Sequence, residues 1–246
     1  MFGWLRKVVL ILIAIILICS LIIMNFTLTL GISLKEDNIK EPLVEIIQEY
    51  SDVSYQQIPF LKTACQSQES IIINLPINSQ QFTIKCSDVN TLSEEELKVK
   101  VTDQIFNDIY YNEYTCDGFL DCIKKENIFY FGSNQARSLA MKYFYYSLFF
   151  SIVLIALAVL LYENKFASLT FTGVMLIIAA LPFLKLNLFF TWDFLPIQIL
   201  ALMLSKSRLV FGISFVIGII LIAARISTYI VMKQMKSKES SPAVSA

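Results

Sequence analysis

No histidine occurs in the 246 residues. That removes the commonest general base and the commonest transition-metal ligand. Serines at Ser20, Ser147 and Ser151 therefore have no imidazole to activate them, and a histidine-ligated zinc protease is excluded. Acidic side chains are missing from every long apolar run, which excludes an intramembrane aspartyl protease and any ion pair within those runs. The five cysteines include no C-x-x-C pair. Net charge is also missing, at 20 basic against 20 acidic residues, so composition gives no reason to expect nucleic acid as a partner.

What is present is apolar. The chain is 56% hydrophobic, above the roughly 45–50% usual for a soluble domain. Val8 to Met24 is uncharged, and continued through Leu30 the run is 23 residues, enough for the about 20 residues that cross a bilayer core. Arg6 and Lys7 precede it, and "NFTLTLGIS" offers no small-x-small cleavage site, so it reads as a retained signal-anchor. A second run from Tyr143 to Tyr162 starts with the aromatics of an interface belt. A third begins at Ala167 and contains Pro182, which membrane helices tolerate near an end. A fourth runs from about Leu209 to Val231, with Lys233, Lys236 and Lys238 beyond it. The spans expected are 1–30 (with the N-terminus), 138–162, 167–187 and 208–232. Residues 188–207 join the last two. Their apolar core, Phe194 to Leu204, is too short to cross and reads as an interfacial helix anchored by Trp192, with a re-entrant hairpin as the alternative. Residues 233–246 form a polar tail ending in "SKESSPAVSA", expected to be disordered.

Charge is unevenly placed. Between Gly31 and Arg137 nine basic residues face seventeen acidic ones. Basic residues should concentrate in cytoplasmic loops. Arg6, Lys7, Lys165 and the tail lysines then put both termini in the cytoplasm and residues 31–137 outside, although Lys185, Lys206 and Arg208 fall on the outer side. The fold class expected is a membrane all-α bundle of four transmembrane helices, carrying a small α+β disulfide-stapled extracytoplasmic domain between spans 1 and 2.

That outer domain has its own signals. Leu43, Ile46, Ile47 and Tyr50 share one helical face, with Pro42 suited to a first turn. Ile71–Leu75 and Gln81–Cys86 flank a Pro/Asn/Ser turn and predict a hairpin. Ser93 and Glu96 have capping-box spacing, and Leu97, Val101, Ile105 and Ile109 recur every four residues behind them. Ser133 is placed to cap the helix that runs on through Arg137 and Lys142 into span 2.

Cys65, Cys86, Cys116 and Cys122 all lie in this block, and an even number in an oxidising compartment implies disulfides. Of the three connectivities, 65–86 would close the hairpin, and 116–122 would close the Asp117-Gly118 turn. Zinc is disfavoured, because its ligands usually come as C-x2–4-C pairs. Four-helix membrane oxidoreductases that pass electrons to a quinone, such as the vitamin K epoxide reductase family, carry the C-x-x-C that this chain lacks. Lys124 and Lys125 are near the close pair, but Asp117 and Asp121 lie within it, next to each cysteine, and act against the electropositive setting of a reactive thiol. The acidic run Asp103, Asp108, Glu113, Asp117, Asp121 does not match a calcium loop. Asn25-Phe26-Thr27 is a glycosylation sequon at membrane depth, where it is not expected to be used.

Span 4 carries the remaining candidates. Ser214 and Gly218 form a small-xxx-small pair, and Arg225, seven residues on, shares their stripe. A helix contact is expected there, with Arg225 binding a carbonyl, a carboxylate or a lipid head group, or snorkelling to the interface.

Four spans with a large, cysteine-bearing first outer loop resemble the plan of the claudin-type membrane proteins. Their loop signature, W-x-G-L-W, is not in residues 31–137, since the tryptophans are Trp4 and Trp192. Tetraspanins place their large loop between spans 3 and 4. No functional residue is carried over from either. The function expected is a structural, assembly or interaction component acting through the acidic ectodomain, with no catalytic residue, metal or cofactor. The expected partners are the lipid bilayer, other membrane or extracytoplasmic proteins, and further copies in a homo-oligomer. The alternatives are a membrane thiol-disulfide oxidoreductase using Cys116 and Cys122, and a small transporter or channel subunit, which the scarcity of polar residues in the spans disfavours.

Overall fold

The computed structural model describes residues 2–55, 63–74, 81–115, 121, 128–162, 165–185 and 201–239. The chain divides into two compact units. One comprises 1–29, 140–189 and 206–246, and the other 30–139 and 190–205.

Four helices are long and apolar enough to cross a membrane. They are α1 (Phe2–Ser33), α5 (Asn134–Leu161), α6 (Ala167–Leu184) and α7 (Ser207–Glu239). The shortest, α6, has 18 residues, about 27 Å at the usual rise, close to the hydrocarbon thickness of a bilayer. Their outward faces are apolar: Ile11, Phe149, Leu160 and Ile220 are all more than half exposed. Water would oppose so much exposed hydrocarbon, and lipid would not. Inward, one cluster draws on Leu17 and Leu21 of α1, Leu154 of α5, and Leu176 and Ala179 of α6, with Leu221 of α7 against it. Pro182 sits in the last turn of α6. The C-terminal helix runs through to Glu239, past the expected span end at 232 and into the segment expected to be disordered. Trp192 and the apolar run 194–200 lie outside the described residues.

The second unit contains α2 (Glu36–Tyr55), β1 (Ser70–Asn74), β2 (Gln81–Lys85), α3 (Cys86–Thr91), α4 (Glu94–Tyr110) and a 3-10 turn at Ile128–Gly132. The strands pair antiparallel, from Ser70 opposite Lys85 to Asn74 opposite Gln81. Two things differ from the sequence reading. Pro42 lies inside α2 rather than in its first turn, because the helix already starts at Glu36. Glu36 and Asp37 favour that early start at the positive end of the dipole, and the Asn38 amide donates to Ile32 O (2.9 Å), closing the end of α1 behind it. The short helix α3 was not anticipated, since six residues carry too little periodicity to read.

The core of this unit has two parts. Cys65, Cys86, Val89 and Leu97 are buried together, with Ile71, Leu92 and Val101 against them. Elsewhere α2 supplies Ile39 and Leu43, and α4 supplies Ile105, Phe106, Ile109 and Tyr110, all buried. Phe106 stacks on Tyr110 with ring centroids 5.3 Å apart. Tyr114 meets Tyr130 edge-on, while Gln135 exchanges hydrogen bonds with both the N–H and the C=O of Tyr114.

The start of α4 is a complete capping box. The Glu96 N–H donates to Ser93 Oγ (3.3 Å), and Glu96 Oε2 accepts from the Ser93 hydroxyl and backbone N–H. Those two donors hold the Glu96 carboxyl below its ordinary range. A carboxyl lowered by folding contributes stability above its unfolded pKa and loses it as pH falls through the folded value. Glu96→Gln should therefore flatten the acid limb of the unfolding curve near pH 4. An unchanged limb in a pH series of melts would assign it to other carboxylates.

Candidate functional site

A polar side chain on an apolar helix must find its partner on a neighbouring helix or along its own backbone. Three such contacts organise the first unit, and they involve all four long helices.

The backbones of α6 and α7 approach closely at Gly173 and Gly218. A Cβ built on Gly173 would lie 2.6 Å from Gly218 O, and one built on Gly218 would lie 2.8 Å from Gly173 O. Only hydrogen fits at either position. Ser214, one turn before Gly218, is buried and donates to Asn25 Oδ1 on α1 (2.8 Å). Seven residues after Gly218, Arg225 Nη1 donates to Thr170 Oγ1 on α6 (3.0 Å). Ser214 is thus turned to α1, and Gly218 and Arg225 to α6.

The third contact joins α1 to α5. Ser20 Oγ lies 2.8 Å from Ser151 Oγ and 3.3 Å from Ser147 O. Both distances are satisfied when Ser151 donates to Ser20 and Ser20 donates to Ser147 O. Thr27 and Thr29 bond back to their own helix, at Ile23 O and Asn25 O among others. The Asn25 amide is only half used. Its oxygen is used by Ser214, while Nδ2 is buried without a hydrogen-bond partner among the described residues.

Sequence reading found Ser214, Gly218 and Arg225 but not their partners. Asn25 appeared there only as part of a sequon, and Gly173 and Thr170 were not singled out. A signal existed for two of them. Asn25 is the lone amide of its apolar run, and Gly173 is the lone glycine of α6.

In the second unit Cys65 and Cys86 form a disulfide, Cα to Cα 5.2 Å, with both residues buried. Cys116 and Cys122 lie outside the described residues, and Cys19 is free and exposed. Several acidic residues of this unit have partners, Glu36 accepting from the Tyr111 hydroxyl (2.6 Å). Asp103 meets Lys40 at 3.0 Å and Asp88 meets Lys100 at 2.8 Å. Partial burial raises the Asp108 carboxyl. Deeper burial raises the Tyr114 phenol well above its ordinary value, while its hydroxyl donates to Ile109 O. Among the described residues no group of three potential metal ligands occurs.

The end of α1 is closed from three sides. Arg137 Nε donates to Gly31 O (3.4 Å), the Asn38 amide to Ile32 O, and the Tyr110 hydroxyl to Leu34 O (3.1 Å). A cation there also suits the negative end of the helix dipole.

Comparison with protein-family models, with curated proteins and with solved structures finds no match to the chain.

Proposed function

We propose that this chain is a four-span integral membrane protein whose helices form a bundle and whose outer domain is an interaction or assembly surface. The termini lie in the cytoplasm and residues 31–137 outside. One observation carries the reading: three pairs of polar side chains on the apolar helices hold helix to helix, and others bond back to their own backbone. Ser20 with Ser151, Asn25 with Ser214, and Arg225 with Thr170 are fastenings, and the Gly173–Gly218 approach leaves no gap between α6 and α7. A conducting pathway would instead turn such groups toward a common lumen. The acidic excess and the buried disulfide both fall in 31–137, which supports a braced outer domain offered to other proteins.

The reading is tested by topology and by partner capture. Accessibility mapping should find position 100 outside and positions 2, 164 and 240 inside. An odd number of crossings would sink it. Crosslinking in native membranes should trap a protein through residues 31–137. Quinone-dependent thiol oxidation by the purified chain would instead establish the oxidoreductase reading.

A further inference from the structure

Arg225 is the one cationic side chain inside the four apolar runs, and the described residues leave most of its donors unused. A guanidinium carries five N–H donors and a full charge. Thr170 takes a single bond from Nη1 and, being neutral, orients the charge without balancing it. Among the described residues no carboxylate pairs with Arg225. The residue is only half-buried, so it is not enclosed by the helices around it.

Depth and neighbours specify the missing anion. Arg225 stands eight residues before Lys233, about 12 Å of helix, within reach of the head groups for a long side chain. Tyr229, one turn further on and 60% exposed, is the kind of residue found at the membrane interface. Lys165 is exposed just ahead of α6 and adds a second positive charge at that end of the helix pair. The anion abundant at this level of a bilayer is lipid phosphate. With Nη1 held by Thr170, Nε and Nη2 can present a two-pronged fork, the geometry that favours arginine over lysine for phosphate.

We propose that Arg225, oriented by Thr170, binds the phosphate of an anionic phospholipid in the leaflet at the C-terminal end of α7. This rests on the membrane reading above, and it makes α6 and α7 a lipid-selective pair.

The test uses the full chain in nanodiscs of phosphatidylcholine, alone or with roughly one-fifth phosphatidylglycerol, read by native mass spectrometry and by melting. The wild type should retain phosphatidylglycerol selectively and melt higher in its presence. Arg225→Gln should bind it about tenfold more weakly, the loss expected for a charge-assisted hydrogen bond. Arg225→Lys, which keeps the charge without the fork, should fall between. Thr170→Val leaves the arginine intact and should weaken binding about threefold, as for one neutral hydrogen bond. Equal phosphatidylglycerol retention by wild type and Arg225→Gln would overturn the site. Unchanged binding by Thr170→Val would overturn the orienting role. Equal stabilisation by inorganic phosphate in phosphatidylcholine discs would show that the ligand is a free anion rather than a lipid. Carbonate extraction of each variant separates the two proposals. A chain that washes off the membrane sinks the membrane reading, whereas an integrated Arg225→Gln variant that still selects the lipid sinks only this site.

Discussion

Gly173→Ala is expected to separate α6 from α7. The added Cβ would meet Gly218 O at 2.6 Å and Ile222 Cγ1 at 2.9 Å. The isoleucine can rotate, but the carbonyl belongs to a helix backbone and cannot give way without moving the whole helix. Overpacking of this kind costs roughly 1–3 kcal/mol. Gly218→Leu should cost more, because its Cβ alone lies 2.7 Å from Ile177 Cγ1 and three further carbons must be placed. Two controls isolate the effect. Ile219→Leu sits on an exposed face and should be nearly silent. Gly212→Ala meets nothing within 4 Å and should be neutral or stabilising by up to about 1 kcal/mol, since alanine is the better helix former. Melting in detergent, combined with a crosslink between α6 and α7, reads all four. Equal losses at 173 and 212 would show that the close approach does not decide the packing.

The double variant Cys65→Ser, Cys86→Ser should be the most damaging change in the second unit. The bond closes a loop with a sequence separation of 21, which the chain-entropy model values at about 3 kcal/mol. Both sulfurs also sit in a core patch with Val89 and Leu97, so the serines would bring hydroxyls into apolar surroundings. The expected result is a domain cleaved by protease under conditions where the native one survives. Burial should also make this bond resist a glutathione buffer that reduces exposed disulfides. Native protease resistance in the double variant would reassign the domain's stability to the α2–α4 packing.

Patterns carried by a few adjacent residues were readable. The capping box at Ser93 and Glu96 is complete within four residues, the hairpin within sixteen, and each apolar run declares its own length. The site is different, because each fastening joins residues far apart in the chain. Asn25 and Ser214 are separated by 189 positions, and Arg225 and Thr170 by 55. Periodicity showed that α7 has a small-residue face, but nothing local said that Gly173 would meet it. Pro42 shows the converse failure. A rule about where proline prefers to sit gave way to two acidic residues and an asparagine amide that begin the helix earlier.

The closure at the end of α1 also bears on the order of assembly. Its clasps reach over long stretches: Tyr110 to Leu34 spans 76 positions and Arg137 to Gly31 spans 106. Contacts so distant in sequence are slow to form, because the intervening chain must first be drawn together. Arg137 is also in the first turn of α5. A ribosome reading from the N-terminus must therefore deliver nearly the whole 31–137 segment, and begin the next apolar helix, before the last clasp can engage. Until then the 31–137 segment has an open seam, and chaperones and proteases have their widest access to it during that interval.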